Sequence, residues 1–292
     1  MKRATLILGL ACGACGASSP SSATSDHARP PAAAPAPVAP DPALLAVLGG
    51  PARRDKERAR DAARHPAETL TFFGVRADSR VVELWPGGGW YTAILGPYLR
   101  DRGLLAVTYF DANGDPNSAD AKENAELLEE SAEILARLAA TPAAFDKVAH
   151  QQISPPNLVL GPDGSADFVL TFRNIHNWIQ AGYAAQVFQA AARVLKPGGV
   201  LGVEEHRASR ELTLNEMNDS GYVSEAYVIK LAEAAGLRLD ARSEINANPR
   251  DTKDHPHGVW SLPPTYMGKD VDRDKLAAIG ESDRMTLRFR KP

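Results

Sequence analysis

Cysteine is almost absent from this chain of 292 residues, which holds two, Cys12 and Cys15, both near its start. Beyond Cys15 there is no thiol, which excludes a disulfide framework, a cysteine-ligated metal site and a cysteine nucleophile. An excess of basic residues is also lacking, because 33 Lys and Arg stand against 36 Asp and Glu, for a net charge of −3. No basic patch interleaved with aromatic residues is present, so we expect no nucleic-acid partner.

A hydrophobic run long enough to span a bilayer is missing as well. The apolar segment 4–11 is short; it follows Met1-Lys2-Arg3 and precedes the small residues CGACGASS. This is the layout of a secretory signal. It resembles a bacterial lipoprotein signal, which implies lipidation of Cys15, or of Cys12, and membrane attachment there. We expect residues 1–17 to be this signal and the protein to be a periplasmic or outer-membrane lipoprotein of the cell envelope. An ordinary cleaved signal is the alternative.

Residues 18–42 consist largely of Ser, Ala and Pro, as in PPAAAPAPVAPDP. Such a segment buries no core, so we expect an extended tether ahead of one folded domain at residues 43–292. In that domain, segments typical of strands alternate with segments typical of helices. The alternation predicts an α/β fold with an open, mostly parallel, seven-stranded sheet and helices on both faces. The expected strands are at residues 80–84, 104–109, 147–153, 168–172, 200–204, 237–244 and 284–290.

The segment VVELWPGGGWYT is the first candidate site. Its strand ends at Glu83, and Gly87 and Gly89 follow before a helix begins. In open α/β sheets, ligands bind at the carboxyl ends of the strands. Glycines let backbone come close to a ligand, and the N-terminus of a helix suits an anionic group. The segment therefore predicts a ligand-binding loop; a tight turn without a ligand is the alternative.

Two later segments, DFVLTFRNIHNW and VLKPGGVLGVEE, follow this loop in order. With the glycine loop they resemble class I S-adenosylmethionine-dependent methyltransferases, and RNI with RVLKPGG is similar to quinone-ring C-methyltransferases. GYVSEAYVIKLAEAAGL and SEINANPRDTKDHPHGVWSLPP resemble a bacterial group of predicted exported methyltransferases. The resemblance covers residues 43–292. It implies the Rossmann-like methyltransferase fold, S-adenosylmethionine as cofactor, and a small or lipid-soluble methyl acceptor.

The resemblance also implies which residues bind the cofactor, with two departures from the family pattern. Trp85 stands where the family has its first loop glycine, and we expect it to form a wall of the cofactor pocket. Thr108 stands where an acid usually binds the ribose, and Asp111, three residues on, is expected to replace it. The missing acid also counts against NAD. The cofactor-binding candidates are Glu83, Trp85, Gly87, Gly89, Asp111, Arg173 and Asn174.

Two histidines are the catalytic candidates, because an acceptor hydroxyl or activated carbon benefits from a general base. His176 shares the expected loop after the fourth strand with the polar residues Arg173, Asn174 and Asn177, and it is the first choice, since histidine titrates near neutral pH. His206 follows the fifth strand and should face the same edge of the sheet. The alternative is that His176 only packs the loop against Trp178 and that His206 belongs to a solvated charged loop.

A third polar cluster, Asp254, His255 and His257, has the oxygen and imidazole donors that suit a divalent metal. We favour polar surface, or a lid over the substrate, and predict no metal site. Glu281, Asp283 and Arg284 are expected to pair with one another.

Three functions compete at this point. The first is S-adenosylmethionine-dependent methyl transfer. The second is a catalytically inactive module of the same fold that binds a ligand or partner. The third, a nicotinamide-dependent oxidoreductase, is disfavoured by the KPGG turn.

Overall fold

The computed structural model describes residues 38–110, 121–155, 158–269 and 272–292. The signal at residues 1–17, both cysteines, most of the tether and Asp111 lie outside these residues. Among the helices of the described part, none is long and apolar enough to cross a membrane.

One seven-stranded sheet organises the domain, in the order β3-β2-β1-β4-β5-β7-β6. All neighbours pair in parallel except β7, which runs antiparallel to β5 and β6. This confirms the expected mostly parallel sheet of the Rossmann-like methyltransferase fold. The strands are β1 (Arg80–Leu84), β2 (Leu104–Phe110), β3 (Ala149–Ile153), β4 (Ala166–Phe172), β5 (Leu195–His206), β6 (Arg238–Ser243) and β7 (Arg284–Arg290).

Helices precede and connect these strands. Four short ones come before β1: α1 (Pro42–Leu48), α2 (Asp55–Arg58), α3 (Asp61–Arg64) and α4 (Pro66–Phe73). The later ones are α5 (Thr92–Leu99), α6 (Ala121–Ala140), α7 (Pro142–Phe145), α8 (Ile175–Gln180), α9 (Ala184–Val194), α10 (Leu214–Ser220), α11 (Glu225–Ala234) and α12 (Arg273–Ile279). A 3₁₀ turn spans Gly258–Ser261.

The sequence interpretation was wrong about the residues after β4. It placed Arg173, Asn174, His176 and Asn177 in a loop, whereas α8 begins at Ile175. Helix α9 begins at Ala184, after Gly182, which adopts a φ of 76° between α8 and α9. Helices α10 and α12 were not anticipated.

Two hydrophobic layers cover the two faces of the sheet, and the alternation of side chains along each strand separates them. Val81 belongs to one layer and Val82 to the other, and the same holds for Leu170 and Val169. Successive strand residues point to opposite faces, so each central strand supplies both layers. This is why the strands are apolar runs rather than polar–apolar alternations.

The order of the strands sets the position of the site. From β1 the sheet grows on one side through β2 and β3. On the other side of β1 lies β4, so the strand order reverses between β1 and β4. Leu84, at the end of β1, is in register with Thr171 of β4, and Phe172 of β4 is in register with Glu204 of β5. The segments that follow these strands meet at one edge, where such sheets bind ligands.

Candidate functional site

The glycine loop after β1 leaves its backbone open at one position. Gly87 has a φ of 51°, and a Cβ built there would meet no atom within 4 Å. Gly89 has a φ of 75°, and its missing Cβ leaves room for the Ile134 side chain of α6. Glycine is required at both positions by the left-handed conformation. At Gly87 the space beyond the α-carbon is free, whereas at Gly89 the protein fills it.

Glu83, at the end of β1, is fully buried beneath this loop. Its Oε2 accepts a hydrogen bond of 2.7 Å from the hydroxyl of Thr92 in the first turn of α5. Burial raises the pKa of Glu83 to about 7, although the Thr92 hydrogen bond opposes this shift. The carboxyl group therefore ties the strand to the helix behind the loop.

Trp85 occupies the place of the first loop glycine in a strained backbone conformation, with a φ of 45°. Its ring packs among three others, at centroid distances of 5.0 Å from Trp178, 5.3 Å from Phe110 and 6.4 Å from Tyr183. Left-handed backbone is costly for a bulky residue, and such strain is concentrated at functional sites. The ring closes the space between β2 and α8.

Thr108, the other departure from the family pattern, is buried inside β2. Its Oγ1 accepts a hydrogen bond of 2.9 Å from the backbone N–H of Trp85 and lies 3.4 Å from the carbonyl oxygen of Glu83. Thr108 therefore supports the start of the glycine loop.

The end of β4 is joined to the glycine loop by Asn174. Its Nδ2 donates to the carbonyl oxygens of Leu84, at 3.0 Å, and Trp85, at 3.2 Å. The preceding residue, Arg173, has a φ of 60°, a second left-handed non-glycine residue at this edge. Both side chains reach the same cavity.

This cavity has a volume of about 590 Å³ and lies over the carboxyl ends of β1 and β4. Short helices of the N-terminal part supply its other wall. It is lined by Arg54, Lys56, Glu57, Arg60, Arg64, Trp85, Pro86, Gly87, Gly88, Trp90, Glu133, Phe172, Arg173, Asn174, Asn177 and Pro264. Of the expected cofactor residues, the structure thus brings together Trp85, Gly87, Arg173 and Asn174.

A network of buried charges forms the floor of this cavity. Glu204 of β5 accepts from Arg173 Nη1 at 2.9 Å and from the Tyr91 hydroxyl at 3.0 Å. Glu281 accepts from Arg60 at 2.6 Å and from Arg64 at 3.1 Å. Arg284 Nη1 lies between the two carboxylates, 3.2 Å from Glu204 and 3.0 Å from Glu281.

The two candidate bases face each other, as expected for residues at one sheet edge. Their ring centroids are 5.2 Å apart. His176 Nδ1 lies 3.1 Å from Glu205 Oε1, and His206 Nδ1 lies 2.6 Å from the Ser282 hydroxyl. Burial and the nearby His176 hold the pKa of His206 well below its usual range, so His206 is neutral at pH 7. Asn177 of α8 lines the cavity, but His176 is not among the described residues that line it.

Donor atoms of His176, Glu205 and His206 lie within 4.8 Å of one another, a spacing at which three side chains can surround a metal ion. Glu205 already accepts from the backbone N–H of Ile175 at 2.6 Å and of His206 at 2.8 Å, besides contacting His176. These partners use three of the four lone pairs of the carboxylate. Glu205 orients the imidazole of His176, and the Ser282 hydroxyl holds the imidazole of His206.

The segment around Asp254, His255 and His257 is anchored by an acid beside them. Asp251 is buried and accepts from the Tyr222 hydroxyl at 2.9 Å and from the backbone N–H of Asp283 at 2.8 Å. His255 Nε2 lies 2.9 Å from Asp251. Asp254 and His257 are exposed, in keeping with polar surface.

Sequence reasoning missed the cationic side of the cavity. Arg54, Lys56, Arg60 and Arg64 belong to the charged run RRDKERARDAAR, which is not among the candidate sites predicted from the sequence. The structure breaks this run into α2 and α3 and buries Arg64. The expected pairing within 281–284 holds for Glu281 with Arg284, whereas Asp283 pairs with Arg207 and Lys253. The density of arginines in this run was the feature of the sequence that could have indicated a cationic wall.

Comparison with known proteins is consistent with this geometry. Residues 86–203 match the model of a family described as Methyltransferase domain. This part includes the glycine loop, β4 and most of β5. No curated protein sequence matches the chain.

Similar solved structures share the fold at low sequence identity. The (4+2)-cyclase SpnF is 17% identical, with a TM-score of 0.53, and the match covers 86% of this chain and 92% of that one. An S-adenosylmethionine-dependent methyltransferase from Aquifex aeolicus is 19% identical, with a TM-score of 0.47, over 64% of this chain and 87% of that one. The domain match and the fold shared with SpnF identify the seven-stranded sheet as that of the Rossmann-like methyltransferase fold.

The domain match implies S-adenosylmethionine as the cofactor, and the residues present fit it at the glycine loop. No side chain fills the space beyond the α-carbon of Gly87, and the backbone of Gly87 and Gly88 borders the cavity. The cavity volume of about 590 Å³ lies in the usual range for sites of small organic ligands. At the ribose side Thr108 is buried, and the alternative acid, Asp111, lies outside the described residues.

Proposed function

We propose that this chain transfers the methyl group of S-adenosylmethionine to a small acceptor bound in the cavity over β1 and β4. The observation that carries the proposal is the bare backbone of Gly87 facing this cavity. Turns such as that of Gly164 also leave space beyond a left-handed glycine, but Gly87 does so in the cavity wall at the ligand edge of the sheet.

When bound, the cofactor supplies an activated methyl group on a sulfonium. The chain then has to hold the acceptor on the axis of that methyl group, and positioning of this kind can supply much of the rate. Asn174 fixes the loop after β4 to the glycine loop, so the two sides of the cavity keep a set distance. Trp85, Phe172 and Pro264 provide apolar wall that excludes water.

A proton acceptor is needed if the methyl group goes to a hydroxyl or a carbon acid. Support for His176 in this role is its contact with the buried carboxylate of Glu205, which orients the imidazole as in other base–carboxylate pairs. On α8 it directly precedes Asn177, which lines the cavity. His206 is the second candidate.

The alternative is an inactive module that binds a ligand or a partner. The observation that favours it is the aromatic ring of Trp85, which fills the space between β2 and α8 that an open glycine would leave free. A neutral, buried Thr108 in place of the ribose-binding acid points the same way.

The proposed location is the cell envelope, with the domain attached through Cys15, or through Cys12, and the acceptor small or lipid-soluble. Support comes from the signal-like start and the Ser/Ala/Pro-rich stretch that follows it. A Cys15→Ser variant should leave the membrane fraction on cell fractionation, and a Cys12→Ser variant should stay. If Cys15→Ser stays in the membrane fraction and Cys12→Ser leaves it, the attachment site is Cys12.

Titration calorimetry of the purified protein tests the function most directly. We expect binding of S-adenosylmethionine and of S-adenosylhomocysteine, and none of NAD. Binding of NAD alone would replace the proposal with nicotinamide chemistry. Binding of neither adenosyl compound would leave a module of methyltransferase fold without the cofactor.

A further inference from the structure

Arginine is in excess in the floor of the cavity. Four guanidinium groups, those of Arg60, Arg64, Arg173 and Arg284, share the carboxylates of Glu204 and Glu281. In the described part of the chain, no third carboxylate pairs with these four arginines. The floor therefore carries two positive charges that no described residue balances, in a place where burial makes unbalanced charge costly.

Arg64 shows this imbalance most clearly. Only 4% of its surface is exposed, and its Nε donates to Glu281. Within the described residues, nothing accepts a hydrogen bond from its two terminal nitrogens, while the residue borders the cavity. Burial and the neighbouring Arg173 lower the pKa of Arg64 to about 9. Its guanidinium lies 4.8 Å from the centre of the Trp90 ring, which fixes its plane.

Arg173 approaches the same space from the end of β4. Its left-handed backbone, with a φ of 60°, directs the side chain over Glu204, to which only Nη1 donates among the described contacts. A residue other than glycine is held in this conformation at a cost, which the surrounding structure has to offset. The buried guanidinium of Arg64 and the part-buried guanidinium of Arg173 have free N–H groups, which suit a carboxylate or a phosphate bound through paired hydrogen bonds.

We propose that Arg64 and Arg173 bind a carboxylate or phosphate group of the methyl acceptor, so the acceptor is an anionic molecule. The assignment of the anion to the methyl acceptor rests on the proposed function, whereas the anion site itself does not. The glycine loop follows β1, whereas Arg173 follows β4 and its partner Glu204 lies in β5, so the anion site lies beside the loop rather than on it. Lys56 adds a further positive charge to the wall of the cavity, whereas Arg54 is paired with Glu57 and Glu133.

The amino-acid end of the cofactor carries a carboxylate too, so the test has to separate the two sources. Thermal unfolding of the purified protein is followed in inorganic phosphate against chloride at equal ionic strength, with and without saturating S-adenosylhomocysteine. We expect phosphate to raise the melting temperature saturably in both states, because the homocysteine carboxylate leaves Arg64 and Arg173 free. A phosphate effect that disappears when S-adenosylhomocysteine is bound would assign the site to the cofactor and overturn the proposal.

Variants give a second, independent measurement. Arg64→Gln should weaken phosphate binding about 10-fold or more, which corresponds to the loss of a charge-assisted hydrogen bond. Its affinity for S-adenosylhomocysteine should stay within about 3-fold of the wild type. Arg76→Gln is the matched control, because Arg76 is an exposed arginine outside the cavity and should bind phosphate as the wild type does. Equal phosphate binding by all three proteins would overturn the proposal.

The wild-type measurements decide the question even if Arg64→Gln does not fold. No phosphate effect in either cofactor state would remove the anion site. Failure of S-adenosylhomocysteine to bind, together with a phosphate effect, would keep the anion site and refute the methyltransferase function, so the two failures are distinguishable.

Discussion

The backbone N–H of Trp85 donates a 2.9 Å hydrogen bond to the side-chain oxygen of Thr108. These are the two positions at which the chain departs from the methyltransferase loop pattern, so the two departures are physically coupled. An acid of the usual kind at position 108 would bring a negative charge into the buried space beside Glu83. Threonine instead supports a loop that begins with a bulky residue in a left-handed conformation.

Removal of this support should destabilise the domain. Thr108→Val leaves the Trp85 N–H buried without an acceptor, and we expect a loss of about 1–3 kcal/mol in the free energy of unfolding. Thr108→Ser keeps the hydroxyl and should lose only about 1 kcal/mol for the methyl group. Urea unfolding compares the two variants. Equal stability of the Val and Ser variants would show that the hydrogen bond contributes nothing.

Gly87 should be essential for the cofactor but not for the fold. Gly87→Val introduces a side chain into the space facing the cavity and should abolish binding of S-adenosylhomocysteine in calorimetry. Gly164→Val is the matched control, because Gly164 has a similar φ of 64°, also has free space beyond its α-carbon, and is absent from the cavity lining of the described residues. If the two variants lose affinity to the same degree, backbone strain rather than a blocked site is responsible.

Glu83 should make stability depend on pH. Its pKa rises from 4.5 to about 7 on folding, so the folded protein binds more protons than the unfolded chain between these values. The free energy of unfolding contributed by Glu83 therefore falls as pH rises through this range, by at most about 3 kcal/mol. Glu83→Gln, whose side-chain oxygen can still accept from Thr92, should gain stability relative to wild type between pH 5 and pH 8.

Urea unfolding at pH 5 and at pH 8 measures how far the free energy of unfolding of Glu83→Gln differs from that of the wild type. Glu68→Gln, which changes an exposed glutamate of α4, should show the wild-type pH dependence. An identical pH profile for Glu83→Gln and wild type would mean that Glu83 is ionised in the fold at little cost.

Asp251 should anchor the segment that carries His255. Asp251→Ala leaves the Tyr222 hydroxyl and the Asp283 N–H without their acceptor, and we expect a loss of about 2–3 kcal/mol in unfolding free energy with faster proteolysis near residue 254. Asp254→Ala changes an exposed acid of the same segment and should alter neither. Limited proteolysis followed by mass spectrometry checks this. A wild-type cleavage rate for Asp251→Ala would restore the idea of a freely moving lid.

The proposed role of His176 as a general base can be tested once a methyl acceptor is identified. If it removes a proton during transfer, His176→Asn should lower turnover by about 10²–10⁴-fold and remove the acid limb of the pH profile, with little change in cofactor affinity. Glu205→Gln should lower turnover less, because it only weakens the orientation of the ring. Near-normal turnover and an unchanged acid limb in His176→Asn would leave His206 as the base.

The sheet could be predicted because its strands carry a local signal. Val81 and Val82 face opposite hydrophobic layers, and this double burial produces the apolar run that marks a central strand. The glycine loop was equally visible, since Gly87 and Gly89 meet a conformational requirement that few other residues tolerate.

The charged floor could not be predicted, because its partners are distant in sequence. Arg64 is buried by a contact with Glu281, 217 residues away, and nothing in the run RRDKERARDAAR separates this arginine from its exposed neighbours. The helix α8 was missed for a different reason. It is only six residues long, and its polar residues suggested a loop.

Strand β6 touches the sheet only through β7, which follows it in the chain by some forty residues yet lies between it and β5. During synthesis β6 therefore emerges without a strand to join, and its hydrogen-bonding edge stays open until β7 is made and inserted. The same insertion adds Arg284 to Glu204, which already pairs with Arg173, so pairing of the outer strands also completes the buried charge network. An incomplete chain would present an open strand edge, a feature that favours aggregation and recognition by chaperones over a stable partial domain.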